Sequence, residues 1–158
     1  MPPINLIENV LWLSAGVPID TTGAAFNGDY VDMSLADELW VMIQQGAWAG
    51  GTPAVTIGQA SDNAGTGAAA LTTFTAWNGT ALTDDQYAAV TVAAGTFNLA
   101  ATANITTILR CKAVDMTDGL SYLRAEVASP GSNADLIAMS YALVGLKYQG
   151  KVPPTVIA

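Results

Sequence analysis

The sequence contains no histidine and a single cysteine, and both shortages exclude kinds of chemistry. Without an imidazole, the chain has no Ser-His-Asp triad and lacks the side chain that most often ligates zinc or iron. One thiol forms neither an internal disulfide nor a thiolate metal cluster. We therefore expect no enzyme activity, no catalytic residue, no metal and no cofactor, and we expect Cys111 to be buried and structural.

Charge is the second shortage, because charged residues make up 11% of the chain where about 25% is usual. The net charge is −8, and no basic residue precedes position 110. Nucleic acids and anionic membranes both require clustered lysine and arginine, so we expect neither as a direct partner. A surface with so few charges indicates that part of it faces other protein, although a small domain with a neutral surface is the alternative.

Long apolar runs are missing as well. No window holds 18 consecutive apolar residues, so we expect no transmembrane helix. The short apolar run at residues 10–13 has no basic segment before it, and we do not expect a signal peptide. The length of 158 residues suits one domain.

Strand-like alternation is what the chain does have. Residues 105–115 place Ile105 and Cys111 on one side and Arg110 and Lys112 on the other. Similar segments recur between connections rich in glycine, asparagine and aspartate, such as Asp118-Gly119. The pattern predicts an all-β fold, a single antiparallel β-sandwich that is jelly-roll-like, with about eight strands.

The predicted organisation has three parts. Residues 1–19 are expected to form an extended arm or a short edge strand, residues 20–148 the sandwich, and residues 149–158 an extended tail. A helical turn is the competing interpretation for residues 38–45, and a helix for the long final strand that we predict at residues 135–148.

Carboxylates are the remaining candidates for chemistry, as glycosidase acids or calcium ligands. The candidates are Asp84-Asp85, Asp37-Glu38, and Asp115 with Asp118. None matches a known ligand spacing, and solvated turns are the favoured interpretation. The glycine-rich segment at residues 61–67 is followed by neither a lysine nor a helix, so phosphate binding is not expected. We interpret the glycosylation triplets at Asn78 and Asn104 as chance matches.

Four tryptophans stand out against so few charges, and aromatic residues are enriched at the centres of interfaces. We expect Trp40 in the core. Trp12, with Leu11 and Leu13 as the apolar anchor of the arm, and Trp48 in a glycine-rich loop are the predicted interface residues. A loop anchor packed on its own domain is the alternative for Trp48, and a sugar-binding role for exposed aromatics stays open.

Several segments resemble small virion proteins of tailed phages. They are VTIGQASDNAGTG at residues 55–67, ALT at residues 70–72, and the predicted strands at residues 105–115 and 120–127. The resemblance spans roughly residues 37–145. In that family a β-sandwich or jelly-roll domain decorates the capsid.

The resemblance implies a cement or decoration protein, often a homotrimer, bound to the lattice of the major capsid protein on the capsid exterior. It brings no catalytic residues, and it implies no small-molecule substrate. A tail or neck subunit is a second hypothesis. A carbohydrate-binding β-sandwich module is a third from a different class, and a glycosidase is a distant fourth.

Overall fold

A computed structural model describes residues 10–79 and 86–147 of the chain. The first nine residues of the predicted arm, the pair Asp84-Asp85 and the predicted tail at residues 149–158 lie outside the described residues. The described part contains strands and two single turns of 3-10 helix, at Met33–Leu35 and Ala113–Asp115, and no α-helix. The helical alternatives for residues 38–45 and for the described part of residues 135–148 are therefore wrong.

Thirteen strands are described. In chain order they are β1 (Val10–Ser14), β2 (Ile19–Asp20), β3 (Phe26–Asn27), β4 (Val31–Asp32), β5 (Glu38–Trp48), β6 (Ala54–Ala60), β7 (Ala69–Ala70), β8 (Thr75–Gly79), β9 (Tyr87–Val90), β10 (Thr96–Asn98), β11 (Ile105–Lys112), β12 (Tyr122–Val127) and β13 (Asp135–Val144). The all-β prediction is confirmed, but the estimate of about eight strands is too low. Strands of two residues, such as β2 and β7, are too short to show alternation in the sequence.

The strands form two antiparallel sheets that pack as a β-sandwich. The larger sheet has the order β1-β13-β5-β11-β8-β9, and β2 pairs with β13 on the same edge as β1. The smaller sheet has the order β10-β6-β12-β3, with β4 on β12 and β7 on β6. Successive strands pass repeatedly from one sheet to the other, so the pairings join residues that are distant in sequence.

The core lies between the sheets and takes every second residue from each long strand. Strand β5 buries Leu39, Val41 and Ile43, and β11 buries Leu109 and Cys111, all at 0% exposure. Burying each large apolar side chain stabilises the fold by about 1.5–3 kcal/mol. The expectation of a buried Cys111 is confirmed. Burial raises the pKa of its thiol and keeps it protonated.

Two predicted strands end earlier than expected. Strand β11 stops at Lys112, and Ala113–Asp115 turns as a 3-10 helix, so Asp115 is not a strand residue. Strand β13 stops at Val144, because Gly145 adopts a φ of 71°, which ends the extended conformation.

One hydroxyl group joins the two sheets. Tyr141 of β13 is fully buried, and its Oη accepts a hydrogen bond of 2.9 Å from the Ala125 amide of β12. The Ala125 carbonyl accepts from the Gly28 amide at 2.9 Å. A Cβ at Gly28 would lie 2.2 Å from the Tyr141 hydroxyl, so only glycine fits there. Tyr141 therefore completes the ladder of β12 in the gap between β3 and β4.

Candidate functional site

The outward-facing side of the larger sheet is the candidate site. Residues directly opposite each other in an antiparallel pair project from the same face. One row therefore runs Trp12, Ala142, Trp40, Arg110 across β1, β13, β5 and β11. The next row runs Ser140, Met42, Ile108, Trp77 across β13, β5, β11 and β8. We call this surface the aromatic face, with its apolar part formed by Trp12, Trp40, Met42, Trp77, Ile108 and Ala142.

A tryptophan pair lies near the middle of the aromatic face. The rings of Trp40 and Trp77 are nearly parallel, at 11°, with their centroids 6.2 Å apart. The Arg110 guanidinium lies 5.7 Å from the Trp40 ring centroid, within range of a cation–π contact. The ring pair and its cation give the face a defined shape, because stacked aromatic side chains lose little further entropy on binding.

One carboxylate organises this cluster. Glu38 Oε2 accepts from the Trp40 indole N–H at 3.0 Å and from Arg110 Nε at 2.9 Å, and Glu38 Oε1 accepts from Arg110 Nη2. The hydrogen bond from Arg110 holds the pKa of Glu38 below its ordinary value, and Glu38 raises the pKa of Arg110 in return. The charges therefore neutralise each other within the face and leave its centre apolar.

The aromatic face exposes large apolar side chains to an unusual degree. Five such side chains are exposed in the described residues, and three lie on this face: Trp12 at 60%, Tyr87 at 50% and Leu136 at 46%. Ala142, by contrast, is only 4% exposed, because it lies in register between Trp12 and Trp40. Exposed apolar side chains at both edges and one end of a single sheet face make this face the candidate interaction surface.

The structure separates the predicted interface residues. Trp12 projects from the aromatic face, whereas Leu11 and Leu13 point inward from the same strand and pack against the core. Trp48 also packs against the core, and its indole N–H donates to the Gly51 carbonyl at 3.2 Å. These contacts match the loop anchor that was the alternative for Trp48, and its role at an interface stays a prediction.

The prediction that Trp48 lies in a loop is wrong, because Trp48 is the last residue of β5, and the turn that follows it is fixed by a buried carboxylate. Asp135 is 0% exposed, and its Oδ1 accepts from the amides of Ala49 and Gly50 at 2.7 and 3.2 Å. The same residue opens β13, where the pairing with β5 is irregular. Asp135 thus connects the start of the last strand to the turn between β5 and β6.

The expectation that Trp40 is a core residue is wrong. Leu39, Val41 and Ile43 point inward, so strand alternation turns Trp40 and Met42 outward. This alternation is visible in the sequence ELWVMIQQ and could have identified the outward position. Trp77 was not predicted as an interface residue, because its partner Trp40 is remote in sequence.

The other candidate groups do not form a chemical site. Asp37, Asp115 and Asp118 are exposed, and no group of three or more possible metal ligands occurs in residues 10–79 and 86–147. In the loop after β6, Asp62 Oδ1 accepts from the amides of Ala64 and Thr66. Hydrogen bonds from the Thr66 side chain first, and then from these amides, lower the pKa of Asp62. A phosphate would therefore find these amides already bonded.

Asn78, from one of the two glycosylation triplets in the sequence, has a structural contact. Its side chain is half-buried, and its Oδ1 accepts a hydrogen bond from the Thr107 hydroxyl at 2.8 Å, which joins β8 to β11. Within the residues that the structure describes, there is no helix of the length and apolarity needed to cross a membrane.

Comparison with known proteins gives one structural likeness to report. No family model and no curated protein matches the chain. Among solved structures, the chain is similar to the crystal structure of SPBc2 prophage-derived protein YomS, with 13% sequence identity and a TM-score of 0.48. The likeness covers 87% of this chain and 94% of that one.

Proposed function

We propose that this protein is a structural virion protein of a tailed phage, located on the capsid exterior, which decorates and stabilises the shell by binding the major capsid protein. The resemblance of residues 37–145 to small phage virion proteins supports the class of protein. The exposed aromatic face is the single observation that carries the mode of action, because it is a preformed surface for another protein.

The composition of the face fits a protein partner. Tryptophan, tyrosine, methionine and arginine are enriched at interface centres, and lysine, glutamate and aspartate are depleted there. The aromatic face carries Trp12, Trp40, Met42 and Trp77, and the carboxylate beside them, Glu38, is already engaged by Arg110, while Asp20 lies at the margin opposite Leu136. Binding therefore desolvates little unpaired charge, which is the main cost of burying a polar surface.

Stabilisation would follow from mass action, with no chemical step. A protein that binds the assembled shell, and not its dissociated subunits, stabilises the shell by about 2.7 kcal/mol per site at a free concentration 100 times Kd. We propose no enzyme activity and no small-molecule substrate. We also propose no nucleic-acid or membrane partner, since Arg110 and Arg124 are both paired with glutamates.

Localisation is the first test. Purified virions of the phage that encodes the chain are labelled with gold-conjugated antibody and imaged, and we expect label on the head. Label confined to the tail would replace this proposal with the tail or neck subunit. Virions that lack the protein altogether would overturn both structural hypotheses.

A matched pair of variants tests the aromatic face itself. Met42→Glu places a carboxylate at the centre of the face, and Asn98→Glu places one at an exposed position of the smaller sheet. Both variants should fold with circular dichroism spectra like the wild type. In co-sedimentation with empty shells, we expect Met42→Glu to weaken binding by about 30-fold, or ~2 kcal/mol, as at an interface hot spot. Equal binding by the two variants would count against the face.

Carbohydrate binding is the second candidate, and the observation in its favour is the display of Trp12, Trp40 and Trp77 on one sheet face. A glycan array probed with wild type, Trp40→Ala and Trp48→Ala separates the candidates. Binding that Trp40→Ala abolishes would favour a sugar ligand on the aromatic face. Binding lost only in Trp48→Ala would move the site to the loop after β5, and a blank array would leave the protein partner.

A further inference from the structure

Two strands at the lateral edges of the larger sheet, β1 and β9, carry no protecting charge or proline of their own. Strand β1 forms one edge and β9 the other in the described part of the chain. Each sequence, VLWLS in β1 and YAAV in β9, contains neither a charged residue nor a proline. Natural sheets normally protect such edges with lysine, proline or a bulge, because half of the backbone N–H and C=O groups of an edge strand are free to pair with another strand.

The two edges differ in shape in a complementary way. Beside β9 lies a groove of about 250 Å³, lined by residues that include Phe74, Trp77, Ala89 and Val90. Ala88 and Ala89 are exposed and small, so the backbone of β9 is accessible. At the opposite edge, Trp12 projects from β1 with 60% of its side chain exposed. One edge therefore offers a recess and the other a bulky apolar side chain.

Charge on the two strands does not oppose this encounter. Each copy of the chain carries a net charge of −8, so two copies repel each other through most approaches. Neither β1 nor β9 contributes a charge, and the carboxylate on the β1 edge is that of Asp20 in β2, beyond the end of β1. Pairing of β1 with β9 therefore sets no carboxylate of one strand against a carboxylate of the other.

We propose that the occupant of the β9 edge is a second copy of this chain, whose β1 adds to the sheet beside β9 and whose Trp12 fills the groove next to Ala89. The contact joins two different surfaces, so it is heterologous and each copy keeps one edge free. Repetition of the contact closes a ring when the rotation between copies allows it. This assembly is independent of the proposed function on the capsid.

Disulfide trapping tests the pairing directly. Ser14→Cys in β1 is mixed in turn with Tyr87→Cys, Ala88→Cys and Ala89→Cys under mild oxidation, and Cys111 does not interfere because it is buried. We expect at least one mixture to give a disulfide-linked pair. Within one copy the edges are separated by five strand spacings, about 24 Å, whereas a disulfide requires Cα atoms closer than about 7 Å. The control mixture uses Asn98→Cys, an exposed position on the smaller sheet, and should give none.

Oligomer mass provides the second test. By light scattering on the full-length chain, the wild type should have the mass of a ring, and Ala89→Lys should shift to the mass of a single chain with an unchanged circular dichroism spectrum. Asn98→Lys adds the same charge to the edge strand β10 and should leave the mass unchanged. A wild type that is monomeric at high concentration would overturn the inference. So would an oligomer that survives Ala89→Lys and gives no β1–β9 disulfide.

The two proposals fail in different ways. A monomer that still binds empty shells through Met42 would refute the ring and leave the capsid function standing. A ring that binds no shell would support the edge pairing and refute the capsid function.

Discussion

The two outward faces of this sandwich are built from the same kind of strand, but they differ in how far their aromatic side chains are exposed to solvent. On the smaller sheet, the Arg124 guanidinium lies 4.6 Å from the Tyr30 ring and pairs with Glu126. A Cβ at Gly58 would meet Glu126 Oε1 at 2.9 Å, so the glutamate lies over the backbone of β6. On this face, Tyr30 is therefore covered by Arg124, and Arg124 is paired with Glu126. On the larger sheet, the corresponding surface is aromatic and exposed.

The difference shows how to distinguish a solvated face from a candidate binding face in a protein with few charges. Overall composition does not distinguish them, because both faces include an arginine, a glutamate and aromatic rings. The faces differ in the solvent exposure of their aromatic side chains: Tyr30 is 6% exposed, while Trp12 is 60% exposed. An apolar side chain that its own chain leaves uncovered is the stronger sign of a partner.

The largest expected effect concerns the hydrogen bond between Tyr141 and Ala125, which joins the two sheets. Tyr141→Phe removes the hydroxyl that accepts from the buried Ala125 amide, and an unpaired buried amide costs about 1–3 kcal/mol. Urea denaturation should show this loss for Tyr141→Phe. The control, Tyr122→Phe on the outward side of the smaller sheet, should stay within about 0.5 kcal/mol of wild type. Similar stabilities for the two variants would show that the sheets do not depend on this link.

An intermediate effect separates the two faces by the nature of their contacts. A double-mutant cycle with Trp40→Ala and Trp77→Ala should give a coupling of about 0.5–1.5 kcal/mol that persists in concentrated salt. The matched cycle with Arg124→Ala and Glu126→Ala should give about 0–1 kcal/mol and decline as salt rises. If salt weakened both couplings equally, the contrast between an aromatic and an ionic face would be lost.

The smallest expected effect is a dependence on pH at the aromatic face. Folding lowers the pKa of Glu38 through the hydrogen bond from Arg110, so its contribution to stability is present above the ordinary pKa of a glutamate. The contribution disappears as the pH falls through the lowered pKa of the folded state. Because the pair is partly exposed, we expect Glu38→Gln to cost at most about 1 kcal/mol at neutral pH. Unfolding measured at pH 7 and in acid checks this, and a cost that persisted in acid would rule out ionisation as its cause.

Sequence alternation predicted the parts of the fold that depend on local pattern. The buried side of β11, from Ile105 to Cys111, and the inward row of β13 at Met139, Tyr141 and Leu143 both follow from a period of two. The two-residue strands β2 and β3 were missed because two residues carry no period. The order of the larger sheet was not predictable either, since β13 inserts between β1 and β5 through pairings that are remote in sequence.

The candidate site was predictable only in part, for the same reason. Trp12 was predicted from its place in an apolar arm, and the structure leaves it exposed. Trp40 was assigned to the core because large aromatic residues are usually buried, although the alternation of Leu39, Val41 and Ile43 turns it outward. The pairing of Trp40 with Trp77 depends on β11 lying between β5 and β8, which no local pattern reveals.

The close approach of Gly28 to Tyr141 has a consequence for how this sequence can evolve. The hydroxyl occupies the volume that any side chain at position 28 would need, with 2.2 Å between them. Position 28 therefore cannot change alone: a side chain there becomes admissible only after the hydroxyl at 141 has been lost. Among related sequences, the two positions should covary, with tyrosine at 141 always accompanied by glycine at 28, and with alanine at 28 found only where 141 is phenylalanine or smaller.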